Sequence, residues 1–144
     1  AGLPLTVYGQ DWEPYLPESM IAGQFLPNDR VGAAYRAAGV VLCDHRDDMR
    51  QEGFLANRLF DAVAAGARVI SDDVPGLRAV FGDSVQVAHG AADLIRLTAD
   101  LSVFGDDAQR RREAARIAGE HSFAARARTL LDAALELRRG DGTL

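Results

Sequence analysis

Apolar and polar positions alternate along the chain in two rhythms, short apolar runs and longer helical spacings. Their order predicts βα units on a parallel sheet. Leu5-Thr6-Val7-Tyr8, closed by Gly9, predicts a first strand, and Ala1 to Leu5 read as its approach. After a loop punctuated by Pro14 and Pro17, Met20 to Phe25 predicts a second, weaker strand. Asn28 or Asp29 is placed to cap a helix whose apolar positions Val31, Ala34, Tyr35 and Ala38 follow helical spacing, and Gly39 ends it. Val40 to Cys43 then reads as a buried strand. The polar run Asp44 to Gly53 has no core pattern and is expected to be a loop of functional kind.

Residues 54–66 predict a helix with Leu55, Leu59, Ala62 and Val63 on one side, and Gly66 is placed as its left-handed cap. Arg68 to Ser71 follows as a strand, then a turn at Asp72 to Gly76, a short helix around Leu77–Phe81 and a last strand at Val85 to Ala88. Beyond Gly90 the pattern is helical only: 91–103, 106–119 and 122–139, the last with Phe123, Ala127, Leu130, Leu131, Ala134 and Leu137 on one stripe. The expected architecture is α/β, a Rossmann-like parallel sheet of about five strands flanked by helices, with a helical tail over 91–139.

Composition narrows the picture. The 144 residues suit a single domain over 1–144, and 48% hydrophobic content supplies one core. No apolar run approaches the roughly 18–20 residues of a membrane span. A lone Cys43 in an apolar run predicts a small buried hydrophobe, and with no basic-then-apolar leader a cytoplasmic setting is expected. The net charge of −5 argues against a nucleic-acid binder. Residues 109–139 nevertheless carry eight Arg against Glu113, Glu120, Asp132 and Glu136. That basic end either faces a partner or is a solvated helix surface, and peripheral membrane contact is compatible with it without being specified.

In an open parallel sheet, ligands bind where strands end and helices begin. Gly23–Asp29, Asp44–Gly53 and Asp72–Gly76 are the polar segments at such ends. The middle one leads into a helix N-terminus, where free N–H groups attract anions. Arg58 adds a guanidinium fork for phosphate, and Asp61 a carboxylate suited to vicinal hydroxyls. The plainer alternative is an Arg58–Asp61 surface pair at i, i+3. All 16 basic residues are Arg, which rules out a Walker phosphate loop, and the dinucleotide Gly fingerprint is missing. His45, His89 and His121 are scattered, and no metal site is expected. The Ser residues show no nucleophile-elbow pattern.

The run Gln51-Glu52-Gly53-Phe54 through Asn57-Arg58-Leu59-Phe60-Asp61-Ala62 to Gly66, closed by the strand Arg68–Ser71, resembles the nucleotide-sugar-binding half of group 1 glycosyltransferases of the GT-B fold. Gly23 to Leu26, Tyr35 to Leu42, and His121-Ser122-Phe123 with Arg126-Ala127 extend the similarity over roughly 20–130. The resemblance implies that Asp61, where the family usually has Glu, binds ribose hydroxyls. It implies that Gly53, Phe54, Asn57 and Arg58 hold the diphosphate and that Glu52 approaches the donor sugar as tentative catalytic residue. Gln24 and Leu26 would flank the base, and His45 and Met49 complete the substrate-binding set. Eight residues lie between Glu52 and Asp61, where the family has seven.

No cofactor or essential metal is implied, the nucleotide-diphosphate sugar being the donor substrate. The partner implied is an N-terminal acceptor domain of the same enzyme, without which this half is expected to be inactive. A competing expectation is a non-catalytic, receiver-like signalling or interaction module with Asp47-Asp48 or Asp72-Asp73 as its acidic site.

Overall fold

The computed structural model describes residues 3–140; the strand approach expected at Ala1 and Gly2 lies outside them. Five short strands are present: β1 (Val7–Tyr8), β2 (Ile21–Gly23), β3 (Val41–Cys43), β4 (Val69–Ser71) and β5 (Val85–Val87). They form two parallel sheets, β1-β2 and β3-β4-β5. In the larger sheet the register is regular, with Val41, Val69 and Val85 level and Cys43, Ser71 and Val87 level two residues on. The β1-β2 pair is irregular, its register shifting between Val7 and Tyr8.

Between and after the strands lie α1 (Asn28–Ala37), α2 (Asp47–Gln51), α3 (Asn57–Ala64), α4 (Leu77–Phe81), α5 (Ala91–Ala99), α6 (Asp107–His121) and α7 (Phe123–Gly140). Short 3₁₀ turns occupy Glu18–Met20, Gly82–Ser84 and Leu101–Phe104. Among the described residues no helix is long and apolar enough to cross a membrane.

One face of β3-β4-β5 carries Val41, Cys43, Val69 and Val85 into a cluster with Leu59, Ala62 and Val63 of α3, Leu77 and Phe81 of α4, and Ile117 of α6. Full burial of a side chain such as Leu59 or Phe81 contributes roughly 1.5–3 kcal/mol. The other face presents Ile70, covered by Leu97 of α5 and Phe104 of the following 3₁₀ turn. The segment expected as the start of a helical tail is therefore the second layer over the sheet. It covers Ile70 because alternation along β4 turns that residue away from α3.

Several local expectations are corrected. α1 begins at Asn28 with Pro27 at the N-cap, so neither Asn28 nor Asp29 caps it; Pro fits this entry because its fixed φ precedes the helix without an N–H to satisfy. The polar run 44–53 is not all loop. Asp47 and Asp48 in the first turn and Arg50 in the last suit the helix dipole and support the single turn α2. α3 starts at Asn57, three residues later than its apolar spacing suggested, because Gly53 breaks the chain direction with φ +66°. Its C-terminus is as expected. Gly66 is left-handed at φ +78°, its N–H bonding to Val63 O and that of Ala67 to Ala62 O, the paired bonds of a Schellman motif.

Candidate functional site

Alternation continues past the end of β3. Val41 and Cys43 are buried, Leu42 and Asp44 are exposed, and His45 is buried again at 7%. His45 thus faces α3, whose N-cap Ala56 donates its backbone N–H to Nε2 at 3.0 Å. Since Nε2 accepts, the ring proton resides on Nδ1, and it is donated to Asp72 Oδ1 at 2.7 Å. Asp72 directly follows β4, and Cys43 pairs with Ser71 in the sheet register, which brings the two strand extensions side by side. Ser71 Oγ donates to the same carboxylate oxygen at 3.2 Å.

The second carboxylate oxygen, Asp72 Oδ2, is buried and accepts no hydrogen bond. Arg50 Nη1 stands 3.7 Å away, so this oxygen retains capacity for one further donor. Arg50 also pairs with Asp47 within α2. The Phe54 N–H bonds to Met49 O at 2.8 Å, closing the loop from α2. The loop then rests on the turn after β4: a Cβ on Gly53 would lie 3.3 Å from Pro75 O. Phe54 itself is exposed.

α3 opens without a cap. No side chain accepts from its first turn, and among the described residues the N–H groups of Asn57 and Arg58 have no hydrogen-bond acceptor. Four such donors are left over at any helix start and carry roughly half a positive charge between them. Asn57 and Arg58 occupy this first turn, and Asp61 the second. The expected alternative, an Arg58–Asp61 ion pair, does not form: among the described residues neither side chain has an ionic partner within 4.0 Å, and both are exposed. Their charges are felt at Tyr35 of α1. Burial raises that phenol above its ordinary value, Arg58 acting against the rise and Asp61 with it. Cys43, beneath the site, is pushed up to about 12 chiefly by burial, so its thiol stays protonated and unreactive near neutral pH.

The structure therefore gathers His45, Met49, Gly53 and Phe54 around the entry to α3, with Asn57, Arg58 and Asp61 along its first two turns. His45 turns both ring nitrogens into the protein. Glu52 ends α2 with an exposed carboxylate that has no ionic partner among the described residues. Gln24 and Leu26 follow β2 on the other sheet and share no hydrogen bond with this cluster among the described residues. Sequence reasoning placed Asp72 and Arg50 only within the polar segments Asp72–Gly76 and Asp44–Gly53, and missed Ser71 and Ala56 as members. The alternation Val41, Cys43, His45 signals a buried His, while its carboxylate partner follows only from the register of β3 on β4. Among the described residues no three His, Cys, Asp or Glu side chains are grouped to hold a metal ion.

A parallel sheet covered by helices on both faces, with an uncapped helix entry at its carboxyl edge, defines a Rossmann-like α/β protein. The family model described as glycosyl transferase-like matches residues 1–132. The chain belongs to that family. No curated protein and no solved structure matches it.

Proposed function

We propose that the chain is the donor-binding part of a GT-B glycosyltransferase, taking a nucleoside-diphosphate sugar at the amino end of α3. The observation that carries this reading is the uncapped α3 entry, with Arg58 and Asp61 beside it unpaired. In this reading the diphosphate lies against the free N–H groups of Asn57 and Arg58 and the Arg58 guanidinium. Those donors stabilise the charge that develops on the leaving diphosphate. Asp61, one turn further, accepts from the ribose hydroxyls, and Glu52 approaches the sugar. The segment from Gln24 to Leu26 flanks the base.

His45 takes a different part from direct contact: bonded to Asp72 and Ala56, it positions the α3 entry from behind. The acceptor, and with it turnover, belongs to a second domain that this reading requires. No metal is needed, since helix donors and Arg58 supply the positive field. The receiver-like alternative draws little support, because Asp48 pairs with Arg46, Asp47 with Arg50 and Asp72 with His45.

Titration of the ¹⁵N-labelled chain with UDP, GDP and ADP tests the reading. Amide shifts centred on residues 52–61 and 24–27 are expected, and Asp61→Ala is expected to weaken binding by about 1–3 kcal/mol through stranded hydroxyl donors. No response at millimolar nucleotide, or unchanged affinity in a folded Asp61→Ala chain, would overturn it.

A further inference from the structure

At the opposite, amino-terminal edge of the three-stranded sheet, a cleft of about 330 Å³ lies where α1 and α3 end and α6 begins. Four guanidiniums line it: Arg36 from the last turn of α1, Arg68 just before β4, and Arg110 and Arg111 from the first turns of α6. Asp107 is the one carboxylate in the lining, and it is already paired with Arg110. Among the described residues Arg36, Arg68 and Arg111 have no carboxylate within 4.0 Å. The carboxyl ends of α1 and α3 each offer about half a negative charge, which offsets roughly one of the three cations. About two remain uncompensated around one small cleft, on a chain whose net charge is −5.

A second observation points the same way. Arg68 Nη1 reaches Gly39 O only at 3.5 Å, and Arg68 Nε is buried with no acceptor at all. A buried donor without an acceptor is uncommon in a folded protein, and a bound acceptor is one of the ordinary explanations. The larger cavity on this edge, about 770 Å³, differs in that three of its four arginines are neutralised: Arg78 by Asp83, Arg110 by Asp107, and Arg116 by Glu113 and Glu120, which leaves Arg112. The charge imbalance is greater in the smaller cleft, where three arginines lack a carboxylate partner among the described residues against one in the larger.

We propose that this cleft is a phosphate-binding site, with Arg68 and Arg111 as its principal donors and Arg36 completing the field. Guanidinium forks match phosphate oxygens in pairs, and Arg68 Nε gains the acceptor it lacks. The site is separate from the α3 entry and independent of the donor-binding reading. The phosphate group is either free in solution or the headgroup of an anionic lipid.

The test uses the whole ¹⁵N-labelled chain with inorganic phosphate, and in parallel with vesicles of phosphatidylglycerol and phosphatidylcholine or of phosphatidylcholine alone. The Arg68 Nε–Hε resonance and the amides of Gly66, Ala67 and Arg68 are expected to shift. The exposed Arg111→Glu substitution is expected to weaken the response roughly tenfold, while the charge-matched Arg138→Glu on α7 leaves it unchanged. Saturation with inorganic phosphate identifies a free oxyanion. Response to the anionic vesicles alone identifies a headgroup. Absence of both responses, equal losses in Arg111→Glu and Arg138→Glu, or phosphate shifts confined to residues 56–61 would overturn the proposal.

Discussion

The segment from Val41 to Ile117 and the two ends that flank it are built on different principles. Within that segment lie all the buried residues of the described chain. Its sheet is covered on both faces, and its strands are level. The amino-terminal part, β1 to α1, has no buried residue, an irregular strand pair, and Trp12, Tyr15 and Phe25 exposed. At the other end α7 presents Phe123, Leu130, Leu131 and Leu137 to solvent, anchored where Arg126 stacks 4.5 Å from the Phe60 ring. Apolar periodicity is thus present in α7 and in α3 alike, yet only α3 finds a surface to bury against. The difference teaches that an amphipathic pattern specifies a helix and a face but not the partner of that face.

Four substitutions test this contrast, in order of effect. Leu59→Ala, at a side chain with no exposure, is expected to lose about 2–5 kcal/mol of stability in chemical denaturation, by lost transfer energy and a residual cavity. A loss under 1 kcal/mol would mean that the α3 layer is looser than its burial indicates. Asp72→Ala leaves the buried His45 Nδ1–H without its acceptor and is expected to cost about 1–3 kcal/mol. Its ¹⁵N imidazole signals should also lose the single Nδ1–H tautomer; retention of that tautomer would place the ring's orientation in Ala56 alone.

Gly53→Ala comes next. The left-handed backbone at this position and the neighbouring Pro75 carbonyl together predict a loss of about 1–2 kcal/mol. The amide shifts should be confined to the α2–α3 loop and the turn after β4. Leu130→Ala on α7 is expected to change stability by less than about 0.5 kcal/mol, since its side chain is 73% exposed. A loss approaching that of Leu59→Ala would reveal burial of α7 in solution and erase the contrast.

The strand positions were legible because each is a short apolar run bounded by Gly, Pro or acidic residues, as at Val69–Ser71 between Gly66 and Asp72. Gly66 was legible as a cap for the same local reason. The start of α3 was not: Leu55 continues the apolar spacing of Leu59, Ala62 and Val63, and helical periodicity cannot tell a helix from a loop that packs on the same core. Of the candidate site, Gly53, Phe54, Asn57, Arg58 and Asp61 could be named from sequence, since one helix entry carries them. Asp72 and Ala56 could not be joined to His45, because 27 and 11 residues separate them and only strand register sets that distance.

By itself the sequence determined the order of strands and helices, the α/β class and a helix entry that carries N–H and guanidinium donors. These follow from contacts within a few residues: side-chain periodicity, caps and turn glycines. Only the tertiary structure decided that the five strands divide into two sheets, that α5 covers Ile70, that Arg58 and Asp61 stay unpaired, and that His45 is held between Asp72 and Ala56. Each of these depends on which surfaces meet after the chain has collapsed, and a pattern along the chain records a face's polarity without recording what covers it.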